Sequence, residues 1–222
     1  MSVCAIVPAA GRGERAGLDK LWADVGGRPL IALTLERVAA AGSIQSIVVV
    51  CPEERHDEVR EIALHLGIAD LTCVPGGVRR RDSVANGLRA VGAPEIVVVH
   101  DAARPLVSPA LIEAVIAAAR RHGAATAGIP CIDTIKRVDN GVVVETLSRQ
   151  SLISVQTPQA FAAQLLLRAH AADGEDASDD CILVERLGEP VAVVPGEIGN
   201  RKITHAEDIE WLRRHLQWAP AP

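Results

Sequence analysis

A chain of 222 residues suffices for one α/β domain with a full core, and 49% of its residues are apolar. Aromatic residues make up only 2%, with no tyrosine, so the core must be aliphatic and base-stacking platforms for single-stranded nucleic acid are excluded. A net charge of −5 argues against a general nucleic-acid or anionic-membrane surface, so positive charge that meets a phosphate must be local.

Residues 3–7, VCAIV, read as a strand buried on both faces, which Pro8 stops. Ala9, Ala10, Gly11 and Gly13 follow, small enough to let the backbone approach a ligand. Arg12, Arg15 and Lys20 then bring three cations that Glu14 and Asp19 only partly offset. Free backbone N–H groups beside fixed positive charge suit a polyphosphate, so the loop reads as a nucleotide triphosphate site. Gly11 to Ala16 formally matches the dinucleotide pattern GxGxxG/A as well. That pattern needs a helix starting within the glycines and an acid about twenty positions on. No helix signal follows, and Glu53 and Glu54 come too late. A Walker loop is absent.

Next, residues 21–25 predict a short strand, with a turn over 26–29 and a helix from Pro29 to about Ala41. A strand over 46–51, a helix over 53–66 closed by Gly67, and a strand over 71–74 follow. After Pro75-Gly76-Gly77, a helix spans 81–91 and a strand 95–100. Ser108 caps a helix to about His122, and 124–129 is a further strand. This alternation predicts a parallel, doubly wound sheet, which binds ligands beyond the carboxyl ends of its strands. Loops 8–20, 75–83 and 100–105 should therefore meet on one edge.

The alternation breaks at Asp133. Residues 135–145 predict a hairpin about Asn140-Gly141, a pair suited to a type I′ turn. A lone hairpin must lie on something, and an arm over about 133–155 that pairs with a second subunit is one solution. Helices are then expected near 160–172 and 178–187, a strand over 191–194 and a last helix over 205–216. Five widely spaced cysteines without CxxC point to reduced thiols and no structural zinc. No run of eighteen apolar residues and no signal peptide stand in the chain, so a cytoplasmic protein without a membrane segment is expected.

His100-Asp101-Ala102-Ala103-Arg104-Pro105 is the second chemical stretch. Taken alone, Asp101 would cap the next element and Arg104 would pair with it. On the same edge as loop 8–20, Asp101 is instead placed for Mg²⁺ and Arg104 for a phosphate. Gly76 and Gly77 can approach a base. Arg79 to Arg81 read as a solvated charge run, in which Arg80 and Ser83 alone receive a role. Lys202 stands in NRKIT, beside a β-type residue after a loop.

AIVPAAGRGER, Lys20, PGGVRRRDSV, VVHDAARP, DTIKRV, QTPQAF, SDD and NRKIT occur in this order from Ala5 to Thr204. In this set and spacing the chain resembles the 2-C-methyl-D-erythritol 4-phosphate cytidylyltransferases of the non-mevalonate isoprenoid pathway. The resemblance implies a single domain over 1–222 with a Rossmann-like, doubly wound, mainly parallel sheet of the nucleotide-diphospho-sugar transferase type, and a projecting β-hairpin arm. It implies CMP transfer from CTP to the methylerythritol phosphate, with Mg²⁺, in a cytoplasmic homodimer. Ala9, Ala10, Gly11 and Gly13 would line the phosphates and sugar of CTP. Gly76, Gly77 and Ser83 would read cytosine, and Ala102 would touch the ribose. Asp101 would hold the metal and contact the acceptor. Arg104, Thr134 and an Arg149 reaching from the other subunit would bind the acceptor phosphate. Lys202 would contact phosphates, and Arg15 and Lys20 would stabilise the transition state. Asp19 before the lysine, Leu21-Trp22 after it, and Val78 depart from the family's usual residues. The alternatives are ribitol-5-phosphate cytidylyltransferase and a non-catalytic nucleotide-binding module on the same scaffold.

Overall fold

The computed structural model describes residues 2–11, 19–172 and 176–218. Arg12, Gly13 and Arg15 lie outside the described residues.

The first half of the chain is built from strand–helix units, because apolar runs of β-branched residues are buried from both sides by amphipathic helices. β1 (Val3–Pro8), α1 (Leu30–Ala39), β2 (Ser46–Val50), α2 (His56–His65), β3 (Leu71–Val74), α3 (Arg80–Ala90), β4 (Ile96–Val99), α4 (Pro109–His122) and β5 (Ala124–Pro130) follow in order. Within β1 the alternation is visible residue by residue. Val3, Ala5 and Val7 join an apolar cluster with α1, α4 and the last helix, whereas Cys4 and Ile6 join a second cluster under α3. The start of α4 is fixed by Ser108, whose Oγ accepts from the Leu111 amide at 3.0 Å, with Pro109 as the first helical residue.

The second half adds a hairpin of β6 (Ile135–Asp139) and β7 (Val142–Leu147), then β8 (Ile153–Ala162), α5 (Ala163–Ala171), α6 (Asp180–Arg186), β9 (Ala192–Pro195) and α7 (Ala206–Trp218). The hairpin turn has Asn140 at φ 46° and Gly141 at φ 79°, as a type I′ turn requires. Val138, Val142 and Val143 are more than half exposed on it, and β6 and β7 pair only with each other among the described residues.

The sheet order is β3-β2-β1-β4-β8-β5-β9. All its strands run in one direction except β8, which pairs antiparallel with both β4 and β5. Two sequence expectations are corrected here. The helix placed near 160–172 begins only at Ala163, and the residues before it form β8, the strand that joins the two halves of the sheet. Residues 21–25 are a turn rather than a strand, with one bridge between Asp24 and Pro29. At the arm, Ile153–Val155 already pair with Pro130–Gly128, so the free-standing hairpin is confined to residues 135–147.

Candidate active site

The chain reverses direction across the sheet between β1, which leads through α1 to β2, and β4, which lies on the other side of β1. Beyond the carboxyl ends of these two strands lies the crevice where such sheets bind ligands. The loop after β4 is held there from several sides. Thr34 Oγ1 in α1 donates to the Ala102 carbonyl at 2.7 Å, and the Ala102 amide reaches the Pro8 carbonyl at 3.4 Å. His100 is fully buried beneath the loop. Its Nε2 is 3.1 Å from the Arg104 carbonyl, which can only accept, so Nε2 carries the proton. Nδ1 then accepts from the Thr157 hydroxyl at 3.3 Å, whose oxygen takes the Asp101 amide at 3.0 Å. Burial pushes the His100 pKa down to about 4, in keeping with this neutral form.

Thr157 can do this because the β5–β8 register slips there, Thr126 facing Gln159 but Ala127 facing Gln156. A bulge takes Thr157 out of the ladder and re-aims its side chain. The same segment fixes the stretch that carries Lys202. Asn200 Nδ2 donates to the Thr157 carbonyl at 2.8 Å, and the Ile203 amide bonds the Ala103 carbonyl at 2.8 Å. Lys202 Nζ is thereby brought to 2.7 Å from Asp101 Oδ2.

Asp101 is the centre of the charge cluster. Arg80 Nη2 lies 3.5 Å from its Oδ1 and Arg104 Nε 3.9 Å from its Oδ2. Burial alone would raise the carboxyl pKa, but Lys202, Arg80 and Arg104 outweigh it and hold the group well below the usual carboxylate range. Arg104 is anchored by Nη1 on the Asn200 carbonyl at 2.8 Å. The buried Nε of Arg104 and Nη2 of Arg80 have no hydrogen-bond partner. The two arginines help to line a cavity of about 190 Å³, with Asp101, Thr157, Asp179 and Lys202 among others. Three cationic side chains, Arg80, Arg104 and Lys202, around a small polar cavity suit an anion with several oxygens.

The second wall is formed by the loops after β1 and β3. The Ala9 amide donates to the Val50 carbonyl at 2.7 Å. A Cβ on Gly76 would fall 2.2 Å from Ala10 Cβ, so only glycine lets these two loops meet. The Gly77 amide donates to Ser83 Oγ at 3.0 Å, and that hydroxyl donates to the Arg79 carbonyl at 3.2 Å. Ser83 thus sets the shape of the turn. Gly11 is exposed. Lys20 stands on a turn ahead of α1, in which the Trp22 amide bonds the Asp19 carbonyl at 3.0 Å. Arg55, between β2 and α2, clasps this turn by pairing with Asp19 at 3.3 Å and lying 4.7 Å over the Trp22 ring. Asp19 and Trp22, on either side of Lys20, therefore have a shared partner.

Asp101, Arg104, Ala102 and Lys202 are brought together, in keeping with the family resemblance. Thr134 and Arg149 are not brought to this cluster within one chain. Both are exposed near the hairpin base, where Arg149 donates to the Ile132 carbonyl. The charge run Arg79 to Arg81 is not a simple solvated face. Arg79 pairs with Asp82 at 2.8 Å, Arg80 with Asp180 at 2.7 Å, and Arg81 donates to the carbonyls of His170 and Ala172 at the end of α5. Sequence reasoning gave no role to His170, Gln159, Thr157 or Asp180. QTPQ and SDD stood out as motifs, but their partners lie in distant parts of the chain. Among the described residues no group of three His, Cys, Asp or Glu side chains could hold a metal, and no helix is long and apolar enough to cross a membrane.

Residues 3–216 match the family model IspD, 2-C-methyl-D-erythritol 4-phosphate cytidylyltransferase. The chain is 45% identical over 217 residues to a protein of Pelotomaculum thermopropionicum bearing that enzyme name, covering 93% of this chain and 91% of the relative. It is 44% identical over 223 residues to the bifunctional enzyme IspD/IspF of an Anaeromyxobacter species, where 97% of this chain spans 57% of the relative. It also superposes on the crystal structure of 4-diphosphocytidyl-2C-methyl-D-erythritol synthase from Anaerococcus prevotii with a TM-score of 0.87, at 32% identity, covering 97% of this chain and 98% of the other. With the matched residues running nearly end to end and including every stretch of the site just described, the chain belongs to the 2-C-methyl-D-erythritol 4-phosphate cytidylyltransferase family.

Proposed function

We propose that this chain transfers CMP from CTP to 2-C-methyl-D-erythritol 4-phosphate, releasing diphosphate, in the non-mevalonate isoprenoid pathway. The observation that carries the reading is Asp101 with Lys202, Arg80 and Arg104 around it, at the switch point of the sheet and beside the glycine loops. Arg104 places the acceptor phosphate, Lys202 contacts phosphates, and Asp101 orients the acceptor. One phosphate oxygen attacks the α-phosphorus in line, the new P–O bond forms, and the bond to the bridging oxygen breaks with its electron pair leaving on diphosphate. The attacking phosphate is already ionised, so no strong base is needed. Catalysis is positioning plus stabilisation of the charge that builds on the α-phosphate and the leaving group. Lys20 and Arg15 are assigned to that stabilisation, and Lys202 shares it. Ala9, Ala10, Gly11 and Gly13 line the triphosphate and sugar, Gly76, Gly77 and Ser83 the base, and Ala102 the ribose.

Mg²⁺ suits this donor set, because it is commonly held by one or two carboxylates with substrate phosphates and water completing its shell. Asp101 supplies the carboxylate, and the bound ion would neutralise charge on the triphosphate. We read the chain as one cytoplasmic domain that works as a homodimer through the arm at about 133–155. The exposed valines of the hairpin support a covering partner, and Arg149 of one subunit would then serve the acceptor phosphate of the other. Thr134 would join it there.

Diphosphate release from CTP and Mg²⁺ is the test, with methylerythritol phosphate and ribitol phosphate as parallel acceptors. Release with the first alone is expected. Release with ribitol phosphate alone would overturn the acceptor, and silence with both would leave a nucleotide-binding module. Gly76→Ala is expected to weaken CTP binding about tenfold or more, since the overpacked loops must part at a cost of about 1–3 kcal/mol. Calorimetric titration with CTP checks this, and an unchanged Kd would remove Gly76 from the nucleotide site.

A further inference from the structure

We propose that His170 and Asp180 are a buried positioning pair that holds the Arg80 guanidinium against the Asp101 carboxylate. The consequence for catalysis rests on the transfer reading above, whereas the geometry stands by itself. Arg80 Nη1 binds Asp180 Oδ2 at 2.7 Å, and its Nη2 points to Asp101 Oδ1 at 3.5 Å. The guanidinium is therefore held by one carboxylate and offered to another, instead of gripping either with both N–H groups.

An arginine beside a carboxylate ordinarily prefers the bidentate grip, which is the stronger arrangement. Here His170 Nε2, 3.0 Å from Asp180 Oδ1, fixes the orientation of that carboxylate, and Arg80 meets it through Oδ2 alone. His170 and Asp180 side chains are 5% and 1% exposed, which leaves water no access to replace either bond. The pair is itself braced. Asp180 stands in the first turn of α6, its amide donating to Gln159 Oε1 at 3.2 Å, and the neighbouring Asp179 caps that helix through the Ile182 amide. His170 sits in the last turn of α5, whose carbonyls are held by Arg81 from α3. Three helices and β8 thus converge on one guanidinium. Nη2 makes no hydrogen bond of its own, so Arg80 stands beside Asp101 as a further cation with Lys202 and Arg104.

The variant His170→Leu fills the site with an apolar side chain but removes the bond that orients the Asp180 carboxylate, so that Asp180 and Arg80 are expected to turn into the bidentate grip. It is expected to lower kcat about tenfold with the KM for CTP within about twofold, because the misplacement touches the reacting end and not the nucleotide. His170→Gln carries an amide N–H where Nε2 stood and is expected to restore kcat to within about threefold of wild type. If His170→Leu leaves kcat unchanged, or if His170→Gln fails to restore it while folding normally, the positioning role is refuted. Should His170→Leu not fold, the isosteric Asp180→Asn takes its place with the same expected kcat loss, and an unchanged kcat refutes the role equally. Were the wild type inactive, the transfer reading would fall but the positioning would still be measured. Nitrogen-15 NMR of the arginine side chains is expected to show slow Nη rotation for Arg80 and a shifted signal in His170→Leu, and an unshifted Arg80 signal would overturn it.

Discussion

Lys202→Ala is expected to lower kcat about 10²–10³-fold, the size of effect seen when a donor aimed at developing negative charge is removed. Its Nζ is 2.7 Å from Asp101, and it reaches there only because Asn200 and Ile203 tie its loop to β8 and to the loop after β4. The same lysine is 41% exposed, so its ion pair is partly screened and adds about 1 kcal/mol or less to stability. For a chain of this size, that limits the change in Tm to about 4 °C. Arg80 and Arg104 still face Asp101 in the variant, so the carboxylate keeps opposite charge beside it. Lys202→Arg should recover only part of the rate, since a planar fork cannot sit where a compact ammonium did. Steady-state rates beside melting curves separate the two quantities. A kcat within threefold of wild type would remove Lys202 from the reacting centre.

Phe161→Ala is expected to cost about 3–5 kcal/mol of stability. Converted for a chain of this length, the loss in Tm is about 10 °C. Phe161 is fully buried in β8, opposite Val97 of β4 and Ala124 of β5. Its cluster includes Ala124, Ala163, Ala169 and Ala177, whose methyl groups are fixed to backbone and cannot move in to fill a hole. The large cavity left by the ring would persist, which is why a core with a single phenylalanine depends on it so heavily. Phe161→Leu keeps most of the volume and should cost less, about 1 kcal/mol. Because α5 and α6 pack on this cluster and carry His170 and Asp180, the alanine variant should also lose activity below its melting range. A Tm loss under about 3 °C would mean that the cluster closes over the gap.

Much of the first half was legible because its signals are local. An apolar run of four to six residues, a proline or glycine, and an amphipathic helix are contained in about twenty residues each. The strands over 71–74 and 124–129 and the helix capped by Ser108 appear nearly where expected. The turn at Asn140-Gly141 is legible for the same reason, since backbone handedness alone selects those residues. Asp101 and Arg104 could be named as a site because parallel strands bring their carboxyl ends to one edge, whereas Lys202 is named only by the family resemblance.

Other features depend on partners that sequence spacing does not reveal. β8 contains two glutamines, a threonine and a proline, which give no strand signal, followed by alanines at which the helix near 160–172 is expected to start. It is a buried strand because those polar groups find partners far along the chain. Gln156 bonds backbone at Glu197, and Gln159 bonds Asp179 and the Asp180 amide. Likewise Arg79, Arg80 and Arg81 look alike in sequence, yet each meets a different acceptor once α5 and α6 are packed against α3. Sequence by itself determined most of the strand–helix alternation of the first half, the glycine loops and the chemistry at the strand ends, because those follow from local propensity and burial pattern. Only the tertiary structure decided that one strand runs against the others and that a histidine and an aspartate stand behind Arg80, because satisfying buried polar groups is a property of the whole fold.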